Sequence, residues 1–254
     1  LYPLIFLLFF SMKDNSEIFS GNVLGPPKHW AFENYISALT NGNVAIYLTN
    51  SIIVTATVLI LTILLASMAA FAIARMKWRL SHVTLILFLL GMMISRHAAL
   101  LPLFLMMRSF GILNSRLSLI IPYTGFALPL AIFVFTGFFR TIPVEIEEAA
   151  QVDGCSPYRI FFQVVFPLVK PAAITIAIFT YLHTWNELLF ALTFISREML
   201  KTLPVGIISM VGQYITEWGP VGAGLVIATL PTILFYLRLS SYIERGLTTG
   251  SGKG

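Results

Sequence analysis

Long apolar runs alternate with shorter polar segments along almost the whole chain. The runs extend from about Ile46 to Ala74, His82 to Met107, Leu117 to Phe139, Leu168 to Ile195 and Gly219 to Tyr242. Each is long enough for the roughly 20 apolar residues that carry an α-helix across a bilayer. A sixth run, Leu1 to about Ser11, covers only about 15 Å of a roughly 30 Å hydrocarbon core at 1.5 Å per residue. It has neither the basic start nor the small-residue cleavage site of a secretory signal. We expect it to be the second half of a first span. The pattern predicts an all-α polytopic membrane protein with six transmembrane helices, the first truncated.

The polar intervals refine this picture. Lys13 to Val44 carries Gly25-Pro26-Pro27 and then Trp30, Phe32 and Tyr35, aromatics suited to the membrane–water interface. The second span is rich in small residues, among them Ala66, Ser67, Ala69, Ala70 and Ala72, which let helices approach closely. Pro122, Pro129 and Pro231 fall inside spans, where neighbouring helices satisfy the freed carbonyls. The expected organisation is a partial first span with an extracytoplasmic segment over 1–44, a transmembrane domain over 45–243, and a polar tail over 244–254.

Composition agrees. Of 254 residues, 57% are hydrophobic and only 11% charged, too few charges for a soluble domain of this length. The net charge of +5 suits anionic headgroups, and no basic stripe for nucleic acid is visible. Cys155 is the only cysteine, so no disulfide forms within the chain, and the four histidines show no metal-ligand spacing. Placing Arg75, Lys77 and Arg79 inside gathers most basic residues on one face, which orients the spans by the positive-inside rule.

One polar segment, 141–167, differs from a plain connecting loop. Thr141 and Pro143 read as a helix start and Gly154 as its stop, since glycine accepts the left-handed cap. Ser156-Pro157 starts a second short helix, and Pro167 opens the next span. The predicted unit is helix, tight turn, helix, with Ala149 and Ala150 leaving low relief for a docking partner. A plainer reading is an amphipathic hairpin lying on the membrane.

Glu148-Ala149-Ala150, Gly154 and Pro167 resemble the EAA loop of ABC importer permeases, with Val164 and Phe166 where that pattern has Ile and Leu. The resemblance implies a coupling loop that meets an ATPase through Glu147, Glu148, Ala149, Ala150, Asp153, Gly154 and Pro167. The end of the chain, from Gly246-Leu247 through Gly250 to Lys253-Gly254, is similar to the C-terminus of sugar-importer permeases. There the resemblance implies a tail reaching the ATPase; a disordered polar end is the alternative. The same tail is no phosphate-binding loop: Leu247 stands where the first glycine belongs, and Gly254 follows Lys253.

Trp185-Asn186-Glu187 resembles the Trp-Asn-Glu/Asp element of carbohydrate permeases. It implies a pathway or gate position, although a helix-packing hydrogen bond explains it equally. A carboxylate in hydrocarbon costs at least ~3 kcal/mol, so it faces protein, a cavity or a cation. Arg96 is at similar depth in the third span, which admits an Arg96–Glu187 pair. Asn34-Tyr35, Asn50-Ser51 and Thr202-Leu203-Pro204-Val205-Gly206 extend the likeness across the chain.

The resemblance implies a permease subunit of a type I, maltose-type ABC importer. It implies a second permease, two ATPase subunits that carry ATP and Mg, and an extracytoplasmic solute-binding protein. This chain itself would bind no cofactor. It would sit in a bacterial or archaeal inner membrane, with hairpin and C-terminus cytoplasmic, and pass a sugar or oligosaccharide. The competing class is a secondary transporter or channel that uses Arg96 and Glu187 without an ATPase.

Overall fold

The computed structural model describes residues 2–76, 78–212 and 216–250, with side chains through 239. The regular structure among these residues is helical: α1 (Tyr2–Ser11), α2 (Asn15–Phe19), α3 (Glu33–Thr40), α4 (Val44–Arg75), α5 (Ser81–Gly91), α6 (Arg96–Ser109) and α7 (Leu117–Thr141). There follow α8 (Glu145–Val152), α9 (Pro157–Arg159), a π-helical stretch (Ile160–Val165), α10 (Phe166–Leu168), α11 (Lys170–Trp185), α12 (Leu189–Phe194), α13 (Leu203–Ser209) and α14 (Trp218–Gly250).

The apolar runs become helices because the backbone can satisfy its own polar groups only that way in hydrocarbon. Among the described residues, α4, α7 and the 218–239 part of α14 are each long and apolar enough to cross a bilayer. At 32 residues α4 reaches about 48 Å. The expected third and fifth spans are not single helices. The third breaks between Gly91 and Arg96, with α5 and α6 inclined at 98°. The fifth is preceded by a 76° bend between the 157–168 stretch and α11, and it ends at Trp185 rather than Ile195. Counting each bent pair as one span gives up to five among the described residues, and α1 is a further apolar helix of ten residues.

The chain divides into two compact units. The first comprises Leu1–Ile53, Leu113–Arg116 and Asn186–Arg238; the second comprises Val54–Ile112, Leu117–Trp185 and Leu239–Gly254. Polar side chains staple the first unit by seeking backbone partners. Asn50 Nδ2 donates to the carbonyls of Met199 and Lys201 at 2.9 and 3.0 Å, and Ser51 Oγ accepts from Leu203 N at 2.8 Å. Asn34 Nδ2 donates to the Ser11 and Lys13 carbonyls, both at 2.9 Å. Gly206 faces the ring of Tyr47 so closely that a Cβ there would stand 2.0 Å from Cδ2. The residue groups at 34–35, 50–51 and 202–206, far apart in sequence, therefore belong to one compact unit.

An aromatic column centres the second unit. Phe71 of α4 meets Phe139 of α7 edge-on at 5.7 Å and Phe161 of the π stretch at 5.2 Å, and Phe135 stacks with Phe139 at 6.0 Å. Such pairs add about 0.5–1.5 kcal/mol each beyond buried area. Ala66, Ser67 and Ala70 are fully buried on α4, as the small-residue pattern predicted. α14 continues as helix through Gly246 and Gly250, where a separate tail was expected; Lys253 and Gly254 lie outside the described residues.

Candidate functional site

The 141–167 segment forms the expected helix–turn–helix, with different boundaries. Thr141 still belongs to α7, and α8 starts at Glu145, after a turn through Ile142-Pro143-Val144. Pro143 ends one helix rather than opening the next, because it lacks the N–H that would continue the ladder. Gly154 adopts φ +76°, the left-handed value predicted from its type. The turn closes with Asp153 N donating to Ala149 O at 3.0 Å and Cys155 N to Ala150 O at 3.0 Å. Ser156 then caps the next helix, its Oγ accepting from Arg159 N.

The second arm carries an unexpected element. Ile160–Val165 is π-helical, with Phe166 N bonding Phe161 O five residues back. Pro167 follows directly. Its missing N–H and bulky ring disrupt a regular α ladder, and a widened turn relieves that crowding. The π stretch also turns Ile160, Phe161 and Val165 into the core of the second unit.

The hairpin residues divide sharply by exposure. Glu148, Ala149, Asp153, Gly154 and Pro167 are exposed, as are Val152 at 88% and Tyr158 at 74%. Two residues expected at a partner surface are not there. Ala150 is buried among Phe71, Phe139, Ile160 and Phe161. Glu147 is buried and pairs within the chain, its Oε1 2.6 Å from Arg75 Nε. Helical periodicity explains both: positions 147 and 150 share the inward face of α8, three residues apart.

The two charges expected inside spans both sit at helix breaks. Arg96 opens α6 and is half-buried, its guanidinium carbon 5.6 Å from the Phe126 ring centroid. Glu187 follows the end of α11, and its carboxylate accepts from the N–H groups of Leu189, Phe190 and Ala191 at 3.0, 3.1 and 3.3 Å. Those are the donors that the first turn of α12 leaves without helical partners. A carboxylate there is also favoured by the helix dipole. Trp185 is buried, stacked on Tyr181 at 5.4 Å, and Asn186 is exposed. Arg96 and Trp185 belong to the second unit and Asn186 and Glu187 to the first.

Three residues outside the expected sites hold contacts that their sequence positions did not signal, Arg75 being read only as a basic loop charge. Arg75 ties α4 to the hairpin through Glu147 and through Nη2, which donates to Ile142 O at 2.6 Å. Asn114, at φ +56°, accepts from Ser196 N, Ser196 Oγ and Arg197 N. Glu198 takes a hydrogen bond from the Tyr47 hydroxyl and pairs with Lys201 at 2.5 Å. Apart from Glu198–Lys201, three residues apart, only tertiary structure brings these partners together, although Asn before a turn is a known left-handed former.

Residues 62–249 match the family model described as "Binding-protein-dependent transport system inner membrane component". The chain is 35% identical over 253 residues to the probable ABC transporter permease protein YurM of Bacillus subtilis, covering 100% of this chain and 84% of that one. It is 34% identical to the diacetylchitobiose uptake system permease protein NgcG of Streptomyces coelicolor, covering 98% and 83%. It is also 34% identical to the trehalose transport system permease protein SugB of Mycobacterium tuberculosis, covering 100% and 93%. Among solved structures, a chain of a bacterial ABC transporter involved in the import of the acidic polysaccharide alginate superposes with a TM-score of 0.84. The match covers 95% of this chain and 90% of that one; at 24% identity it shows a shared fold.

Proposed function

Because the chain belongs to the family of binding-protein-dependent transport system inner membrane components, we propose that it is one permease subunit of an ATP-driven sugar importer. With a second, related permease it forms the pathway for a sugar or oligosaccharide. Two separate ATPase subunits dock on the hairpins, bind ATP and Mg, and drive alternating access. An extracytoplasmic binding protein delivers the substrate. The chain is a multi-pass inner-membrane protein with its hairpin and C-terminus on the cytoplasmic side.

The exposed hairpin tip carries this reading. Glu148, Ala149, Val152 and Tyr158 stand out around the Gly154 turn, an apolar and acidic surface on a short ordered arm. An exposed valine and tyrosine on such a polar arm suit a protein contact and support this reading. The inner face of the same arm is packed into the aromatic column, so a displacement of the tip reaches α4 and α7. Coupling needs no more than a partner that touches this tip differently in its two states. The sugar assignment is supported by relatives named for diacetylchitobiose and trehalose uptake.

The test is reconstitution of the permease pair with its ATPase and binding protein in vesicles. Labelled trehalose, maltose and diacetylchitobiose are offered outside, with MgATP inside. Uptake of at least one, dependent on both MgATP and binding protein, is expected. Uptake driven by a proton or sodium gradient without the ATPase would instead favour a secondary transporter.

A further inference from the structure

Among Glu145, Glu147, Glu148 and Asp153, Glu147 alone is turned inward. Its side chain is 11% exposed and that of Arg75 is 9% exposed. Oε1 and Nε are 2.6 Å apart, and neither atom has a well-directed hydrogen bond, so charge attraction holds the contact. The same guanidinium donates through Nη2 to Ile142 O at 2.6 Å. Arg75 is the last residue of α4, Ile142 lies in the turn between α7 and α8, and Glu147 is on α8. Beside the pair opens a cleft lined by Ile73, Trp78 and Arg79 on one side and Val144 on the other. The guanidinium is thus a polar link at the edge of the apolar packing between α4, α7 and α8.

We propose that Arg75 and Glu147 are positioning residues that latch α8 and the α7–α8 turn to the end of α4, so that a pull on the hairpin moves α4 together with α7. This rests on the importer reading above. A nearly buried ion pair adds little net stability over an apolar pair, but removing one partner strands the other charge. Its use is therefore to fix geometry. Arginine suits the task because its fork presents donors in two directions at once, which a lysine ammonium on a flexible stem does not fix.

Cys155, the single cysteine, adjoins the Gly154 turn and packs against the core of the same unit. It serves as a native reporter of hairpin position. The full chain in its membrane is treated with a permeable maleimide, and labelling is followed in wild type, Arg75→Gln, Glu147→Gln and the reciprocal Arg75→Glu/Glu147→Arg double variant. Each single variant should label about tenfold faster or more, and the double variant, which restores the ion pair but not the bond to Ile142 O, should label clearly more slowly than either single variant. MgATP hydrolysis by the assembled transporter, and its stimulation by loaded binding protein, is measured in parallel. Both single variants should lose stimulation while keeping the ATPase bound, and the double variant should regain it.

Unchanged labelling in the single variants, or no recovery in the double, overturns the latch. Faster labelling with stimulation intact overturns its positioning role. The labelling arm needs no ATPase, so it stands apart from the importer reading. If wild type itself fails to bind an ATPase, that reading falls and the positioning role falls with it.

Discussion

Asn50 Oδ1 accepts two hydrogen bonds from the guanidinium of Arg116, from Nε at 3.1 Å and Nη2 at 2.9 Å. The other half of the same amide donates to the carbonyls of Met199 and Lys201. One buried amide therefore joins the start of α4, the segment before α7 and the segment between α12 and α13. Asn50→Ala strips four bonds and leaves two carbonyls unpartnered. It should cost about 1–3 kcal/mol. Arg116 is exposed and its removal costs less, since water replaces it. Thermal unfolding in detergent checks the order. A loss for Arg116→Ala equal to that for Asn50→Ala would contradict it.

Gly154 sits at φ +76° with open space around its missing Cβ. The penalty for a substitution is therefore backbone strain and not a clash. Gly154→Val should cost about 1–3 kcal/mol locally and deform the turn. Gly154→Asn, which tolerates this region, should cost much less. With expression held equal, uptake by the valine variant should fall well below that of the asparagine variant. Similar uptake by the two would show that the turn's shape does not matter.

Glu187 satisfies three backbone donors at the start of α12. Glu187→Ala removes a cap worth about 1 kcal/mol, whereas Glu187→Gln keeps an acceptor oxygen. Hydrogen exchange of the Leu189–Ala191 amides should speed up in the alanine variant and change little in the glutamine one. Equal protection in wild type and alanine variant would remove the capping role and leave the pathway reading in sole possession of this residue.

Glu198 is held below the usual glutamate range, first by the Lys201 ammonium and then by the Tyr47 hydroxyl. A carboxylate depressed in the folded state contributes stability above its ordinary value. That contribution is lost as pH falls through the folded value. Wild type should thus exceed Glu198→Gln in melting temperature at neutral pH and lose the advantage in acid. The side chain is about half exposed, so solvent screening keeps the difference small. An advantage that grew in acid would reverse the sign of the argument.

Much of this fold was legible, for physical reasons that differ by element. The runs that became α4 and α7 were read nearly to their ends, because crossing hydrocarbon demands length and apolarity together. Gly154 was legible because few residues accept positive φ. The break after Gly91 was not: Gly91-Met92-Met93-Ile94 is apolar throughout, and hydropathy does not register a bend. Ala150 was assigned to the docking face, since alanine is equally at home in a core or on a surface; only the phase of α8 against Phe71 and Phe161 decides. Glu147 finds Arg75, and Asn50 finds Arg116, Met199 and Lys201, all more than 60 positions away and beyond the reach of any local pattern.

The central claim is that the hairpin tip is where a separate ATPase meets this chain, and it is tested most directly by two neighbouring alanines. Ala149 is exposed and Ala150 is buried. Ala149→Trp should leave accumulation and thermal stability unchanged and abolish co-purification of the ATPase. Ala150→Trp should overpack the core, at a cost of about 1–3 kcal/mol, and reduce accumulation of the chain itself. Capture of the ATPase by Ala149→Trp at wild-type yield would contradict the account.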